Sequence, residues 1–272
     1  MSDIPCPLAE AAKRYGAEPA LIVQNQTITY EQYDRLVTIA ARGLQKSGVT
    51  AKARVAIVAE NSAEYAILMM AFFRLRTVAC PISPRFPERA IFEYLKKIKC
   101  DRVIDPSNLL LTDRTQQIPK LNTDEILKFT DEGWMSKSTW SVSLERDATI
   151  IHTSGTTAQP KAVLLSYDNH FYNAVGSNRN ITLEPGDRWL LSLPLYHVGG
   201  LAVLFRTMLG GGAVVIPDNR KDLTDAVRRH RVTHLSLVPT QLHRLLKTPS
   251  LSHNMKQLKA VLVGGSAIPE PL

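Results

Sequence analysis

No apolar run in this chain approaches the roughly 18 residues needed to cross a bilayer. The longest candidate, over 66–73, is far too short, so membrane insertion is not expected. Asp3, Pro5 and Pro7 precede any apolar stretch, which is unlike a secretory signal. Cysteine is scarce: Cys6, Cys80 and Cys100 lie far apart and form no CxxC pair. That argues against a disulfide framework and a cysteine zinc site, and it fits a reducing, cytoplasmic location. With 14 glycines in 272 residues, no internal repeat and no low-complexity tract, collagen-like and fibrous classes are excluded. Apolar residues at 44% and charged residues at 21% exclude a disordered chain.

What is present suits a globular protein with a large core. Area scaling for this length has about 73% of the unfolded chain's surface buried on folding. Lysine and arginine number 33 against 25 acidic residues, a net charge of +8. Such a balance attracts phosphorylated small molecules as well as polyanions. The one tight basic cluster, Arg228 to Arg231, has no interleaved aromatics and reads as a solvated helix end, so no nucleic-acid partner is expected.

Strand and helix patterns alternate along the sequence. Apolar residues at helical spacing (Tyr33, Leu36, Val37, Ala40, Leu44) follow a Thr29/Gln32 capping-box pair and stop before Gly48. Strands are predicted over 54–59, 77–82 and 102–104, with helices over 63–75 (Ser62 as cap) and 87–97 between them. From 106 to 146 the periodicity weakens, and the segment reads as a connector whose Trp134 and Trp140 dock. The rhythm resumes with strands over 148–153, 162–165, 189–193, 213–216, 234–238 and 258–263 and with helices between them. The expected fold is α/β: two βαβ-type lobes, 1–145 and 146–272, with largely parallel sheets and helices on both faces.

The chemistry-bearing residues form four blocks. In the first, Thr153, Ser154, Gly155, Thr156 and Thr157 follow a β-branched strand, and Lys161 closes the loop. Backbone N–H groups and hydroxyls in such a turn can cradle phosphate oxygens, with the lysine as a compact positive charge. The spacing is not that of a Walker A loop. An ordinary hydroxyl-rich turn explains the residues equally well. In the second block an apolar strand ends in Pro194 and presents Tyr196 and His197 before Gly199 and Gly200. The third and fourth are the strand-to-turn segments ending in Val238-Pro239-Thr240-Gln241 and in Gly264-Gly265-Ser266, and ligands bind at the carboxyl ends of strands in open α/β sheets. Core strands with tight turns also account for either segment alone. His230 and His234 share i,i+4 spacing, but Arg231 stands where a zinc protease places glutamate, and no metal site is expected.

The first block resembles the phosphate loop of the AMP-forming acyl-CoA synthetases, within the adenylate-forming superfamily. That loop reads Ser-Gly-Thr-Thr-Gly-x-Pro-Lys-Gly. Ser154, Gly155, Thr156, Thr157, Pro160 and Lys161 match, while Ala158 and Ala162 stand at glycine positions. A glycine at position 158 suits positive φ, where alanine is strained. The resemblance implies that Thr153 to Thr157 and Lys161 contact ATP phosphates while a substrate carboxylate attacks the α-phosphorus. It implies that Gly264, Gly265 and Ser266 pass close to adenine and acyl group. His197, Gly199, Gly200 and Thr240 would border the acyl pocket, with His197 and Lys161 as catalytic groups. Within the superfamily, blocks two to four are most similar to the o-succinylbenzoate–CoA ligases of menaquinone biosynthesis. Their acid keeps one free carboxylate, and Arg206, nine residues past His197, is the cation expected to pair with it.

By the same resemblance ATP, CoA and Mg2+ are implied as ligands, together with a small-molecule carboxylic acid. Three family features are not found: an aromatic-Gly-x-Thr-Glu motif whose glutamate binds Mg2+, a Gly-Arg-x-Asp segment, and a small C-terminal domain with a catalytic lysine. The expectation is a truncated chain, weak or inactive alone, working as a homo-oligomer or with a complementing C-terminal half. Other acyl-CoA synthetases, a carrier-loading adenylation domain and a non-catalytic nucleotide-binding module remain as alternatives.

Overall fold

A computed structural model describes residues 3–110, 118–128, 140–153, 161–217, 223–247 and 256–267. The first elements are β1 (Asp3–Pro5), α1 (Pro7–Tyr15), β2 (Pro19–Val23), β3 (Gln26–Thr29) and α2 (Tyr30–Lys46). A βαβαβ run follows as β4 (Arg54–Val58), α3 (Ala63–Leu75), β5 (Val78–Ile82), α4 (Glu88–Lys97) and β6 (Arg102–Ile104). Next come α5 (Thr123–Leu127), β7 (Ser141–Ser143), β8 (Asp147–Thr153), β9 (Lys161–Ser166), α6 (Tyr167–Asn180), β10 (Arg188–Leu190) and α7 (Val198–Gly210). The last are β11 (Ala213–Ile216), α8 (Leu223–Arg229), β12 (His234–Leu237), α9 (Pro239–Leu246) and β13 (Ala260–Val263).

Local signals act where the sequence places them. The Thr29 hydroxyl accepts from Gln32 N and Gln32 Oε1 accepts from Thr29 N, so two orphan amides of α2 are satisfied. Ser62 caps α3 through Tyr65 N at 3.1 Å, and Pro239 occupies the first turn of α9. Helix α3 is buried from Tyr65 to Leu75, which explains why its sequence is apolar all round. Its one buried charge, Arg74, pairs with Asp34, donates to Thr38 Oγ1 at 2.7 Å and lies over the Trp140 ring. Trp140 therefore docks as expected. Trp134 lies outside the described residues.

Two sheets result, and both are mixed. One has the order β6-β4-β5-β8-β9, parallel except for the antiparallel β8–β9 hairpin. The other has the order β13-β12-β10-β11-β2-β3, parallel except for β2–β3. A short β1–β7 pair completes the strands among the described residues. The expected lobes, divided at residue 145, do not follow sheet membership. Strands β2 and β3 complete the sheet of the later part, and β8 and β9 complete the sheet of the earlier part. Edge hairpins of this kind are set by long-range pairing, which local rhythm does not reveal.

The face shared by the sheets is filled by α2, α3, α6 and α7. Phe73, Tyr167, His170 and Phe205 meet there with ring centroids 5.4–6.2 Å apart. His170 also hydrogen-bonds Thr149 Oγ1 at 2.9 Å. Burial pushes its imidazole down from the ordinary 6.5 to about 4. The unfolded chain thus binds more protons than the folded one between these values, so stability is full above about pH 6.5 and declines as the pH falls toward 4. The decline should reach about 3 kcal/mol, measured by urea unfolding at several pH values, and His170→Phe should remove most of it.

Candidate active-site cleft

Blocks two, three and four converge because their strands are neighbours. In the order β13-β12-β10 all three run parallel, so the turns that leave them share one edge of the sheet. Strand β10 leads into Ser192 to His197, β12 into Val238-Pro239-Thr240, and β13 into Gly264-Gly265-Ser266. Gly264 N donates to Leu237 O at 3.0 Å, which fixes the glycine turn against the start of α9. Gln241 links the other pair of turns: Oε1 accepts from Val238 N and Nε2 donates to Ser192 O. Thr240 and Gly264 to Ser266 are exposed along this edge.

The glycines are not equivalent. A Cβ at Gly200 would stand 2.1 Å from Pro194 O, so only glycine lets the start of α7 pack beneath the Pro194 turn. A Cβ at Gly199 would stand 3.0 Å from Leu193 Cδ1. Both therefore serve the fold of the loop that carries His197. At Gly264 no atom lies within 4 Å of where a Cβ would be, so its bare backbone faces open space. Gly265 has φ +90°, a conformation that favours glycine on its own account.

The other sheet contributes the hairpin. Thr153 and Lys161 are register partners at the end of the β8–β9 ladder, so the lysine is positioned across the mouth of the loop that Thr153 enters. Ser154, Gly155, Thr156 and Thr157 lie outside the described residues, as does Ala158. Ala162 sits opposite His152 in the ladder and is not among the described residues with positive φ, so alanine is unstrained there.

Asn61 ties the two sheets' carboxyl edges together. Its Nδ2 donates to Leu193 O at 2.9 Å and to Leu191 O at 3.3 Å, and its Oδ1 accepts from Leu195 N at 2.7 Å. Three backbone groups around the Pro194 turn are thereby held by a residue of the loop that leaves β4. His197 then caps α7 next to Tyr196, with ring centroids 4.9 Å apart. Burial pushes the His197 imidazole below its ordinary value, and His152, beside the hairpin mouth, adds to that. His152 is itself lowered, chiefly by burial, between Phe86 at 4.9 Å and Tyr94 at 5.0 Å. Two neutral imidazoles therefore flank the cleft at neutral pH.

Arg206 is seven residues past Gly199 on α7, hence on the same helix face and about 10 Å further along. Its guanidinium lies over Trp189 at 5.2 Å, and its buried Nε has no hydrogen-bond partner. Burial pushes its pKa down. Trp189 is held in turn by Ser236 Oγ at 3.0 Å and by stacking on His234. Both ring nitrogens of His234 are engaged, with Thr233 Oγ1 and Thr182 O. Among the described residues no three or more His, Cys, Asp or Glu come together as a cation site.

The profile of the family described as AMP-binding enzyme matches residues 8–272. The chain belongs to the AMP-binding enzyme family. It is 28% identical over 255 residues to the 2-succinylbenzoate–CoA ligase of Bacillus subtilis strain 168, covering 93% of this chain and 52% of that one. To the ligase of the same name from Bacillus cereus strain Q1 it is 30% identical over 258 residues, with the same shares. The chain thus spans about half the length of the curated relatives it matches. Among solved structures, o-succinylbenzoate coenzyme A synthetase from Bacillus subtilis in complex with AMP superposes with a TM-score of 0.88 at 27% identity, covering 100% of this chain and 70% of that one. The same synthetase with ATP and magnesium ion gives 0.88 at 27%, covering 99% and 56%. This AMP-binding chain has the adenylate-forming α/β fold that its phosphate-loop motif implied.

Sequence reasoning found the blocks but missed Asn61, His152 and Trp189. His152 was open to notice, since it directly precedes the hydroxyl-rich loop. Asn61 carries no local signal, because its partners lie 130 or more residues away. Gly200→Ala should destabilise the AMP-binding fold by about 2 kcal/mol or more through overpacking against Pro194. Asn61→Ala should cost about 1–3 kcal/mol by stranding backbone groups of the turn. Denaturant titration checks both, and amide exchange at Leu195 should quicken in the second variant.

Proposed function

We propose that this chain carries the nucleotide and acid sites of an ATP-dependent acid–thiol ligase, acting on an aromatic dicarboxylic acid of the o-succinylbenzoate type. The observation that carries the reading is that His152, beside Thr153 and Lys161 at the hairpin mouth of one sheet, acts electrostatically on His197, which follows β10 of the other. A carboxylate oxygen of the acid forms a bond to the α-phosphorus of ATP, and the bond from that phosphorus to the bridging oxygen breaks, releasing pyrophosphate. Lys161 holds the β- and γ-phosphates and offsets charge on the leaving group. The bare backbone of Gly264 and Gly265 leaves room for the nucleoside, with Ser266 beside it. In the second half-reaction the CoA thiol attacks the acyl carbonyl carbon, and AMP departs with the bonding electrons.

His197, neutral at physiological pH, hydrogen-bonds the reacting carboxyl group and can take up the thiol proton. Arg206 pairs with the acid's free carboxylate. Its place on α7 seven residues past Gly199, with the guanidinium lying over Trp189, supports this role. Thr240, Gly199 and Gly200 border the acyl side. The two relatives' shared name, 2-succinylbenzoate–CoA ligase, supports the choice of acid.

Calorimetric titration of the 272-residue chain tests this without requiring turnover. ATP should bind saturably, and Lys161→Ala should weaken it about tenfold, the loss of one charged contact. Arg206→Ala should leave ATP binding unchanged and weaken o-succinylbenzoate by about tenfold or more. Gly264→Ala should leave the unfolding free energy within about 0.5 kcal/mol and still impair ATP binding. Equal affinity of wild type and Arg206→Ala for the acid would remove the dicarboxylate assignment, and no heat with ATP would remove the whole reading.

A further inference from the structure

Arg74 and Arg206 each lie over a tryptophan ring, at 5.4 and 5.2 Å from its centre. The two sites differ in what completes them. Arg74 has Trp140 beneath it and Asp34 as its ion-pair partner. Arg206 has Trp189, but among the described residues no carboxylate pairs with it, and burial lowers its pKa with no neighbouring charge to raise it. A guanidinium laid on a ring face keeps N–H groups in its own plane for a planar anion. In the reading proposed above, the acid's free carboxylate takes at Arg206 the role that Asp34 has at Arg74.

The Trp189 ring is fixed by its strand neighbours. It is fully buried, and β10 lies between β11 and β12. Trp189 and His234 are register partners, so their rings stack, with centroids 5.1 Å apart and planes 26° from parallel. Trp189 Nε1 donates to Ser236 Oγ at 3.0 Å, and Ser236 is two residues past His234, hence on the same face. The next residue, Leu190, packs in the opposite cluster with Leu235 and Leu237. The backbone under the arginine is held as well, since Asn178 Nδ2 of α6 donates to Arg206 O at 2.9 Å. With its root pinned by α6 and its head laid on an immobile ring, Arg206 is ordered on folding rather than on binding.

We infer that Trp189 is a positioning residue for acid selectivity: its buried ring, which no substrate touches, fixes the Arg206 guanidinium where a second carboxylate meets it. The inference rests on the pairing of Arg206 with the acid's free carboxylate. A preorganised guanidinium adds to the affinity of an acid with two carboxylates and adds nothing for an acid that lacks the paired one. The ring face attracts the cation in tryptophan best and in phenylalanine less. Tryptophan alone also carries the N–H that Ser236 anchors. A phenylalanine at 189 therefore keeps part of the effect, and an aliphatic side chain keeps none.

The test is calorimetric titration of the 272-residue chain with o-succinylbenzoate and its two monocarboxylate analogues, 2-butanoylbenzoate and 4-oxo-4-phenylbutanoate. Arg206→Ala identifies the analogue that lacks the paired carboxylate, because the preference of about tenfold over that one should fall to near unity. Against that analogue, Trp189→Phe should lower the preference about threefold and Trp189→Leu should remove most of it, with ATP affinity unchanged. Added to Arg206→Ala, neither substitution should lower it further, as for two residues that act through one interaction. If Trp189→Leu fails to fold, the same cycle with Trp189→Phe decides. Weakening of all three acids alike, or a preference untouched by the Trp189 substitutions, overturns the inference and leaves the Arg206 assignment standing. Arg206→Ala without effect on either preference overturns both.

Discussion

One asparagine side chain closes three hydrogen bonds across the junction of two sheets. Asn61 leaves β4 of one sheet and holds the turn that leaves β10 of the other. Each bond taken alone is modest, near 1 kcal/mol net, but all three fall on backbone groups of a single turn. The position of His197 follows from that turn, because the carbonyl of Pro194 accepts from His197 N and the start of α7 packs beneath it. The hairpin mouth reaches the same cleft from the first sheet, brought there by β8 beside β5. Strand β5 carries Pro81, which has no N–H to give, and its pairing with β8 is confined to Ala79 and Thr149.

The interleaved sheets give the cleft its rigidity. Strands from the first thirty residues belong to the sheet that carries the Pro194 and Gly264-Gly265 turns, and strands from 147 to 166 belong to the sheet that begins at Arg54. Neither sheet is complete in one continuous stretch of chain. Relative movement of the two carboxyl edges must therefore work against both edge hairpins and against the shared aromatic face around Phe73 and Phe205. Active sites held on strand ends in this manner keep reacting groups in register without reorganisation.

Much of this was legible in the residues. The capping box at Thr29, the Ser62 cap and the largely apolar 63–75 segment each act locally, so their signals sit next to the structure they cause. The Gly264-Gly265 turn was readable from residue type, and a family resemblance supplied a chemistry that composition could not, while residues 154–158 of the hydroxyl-rich loop lie outside the described residues. Sheet membership was not readable in the same way. The segment 19–23 pairs with β11, nearly two hundred residues later, and carries 26–29 with it as the edge strand, and no local rule announces a partner at that distance. The division at residue 145 missed the exchange for that reason. Arg206 was chosen by spacing and resemblance, and it lies over Trp189, a ring whose part in holding it depends on β10, β12 and α7 coming together.

The central claim is that the hairpin mouth and the glycine edge grip one nucleotide between them. The most direct measurement is an amide NMR map of the 272-residue chain with a non-hydrolysable ATP analogue. The account predicts saturable shifts with a single dissociation constant at Thr153, Lys161, Gly264 and Gly265, with His197 moving alongside. Shifts confined to one sheet, or perturbation elsewhere with Lys161 and Gly264 silent, would contradict it.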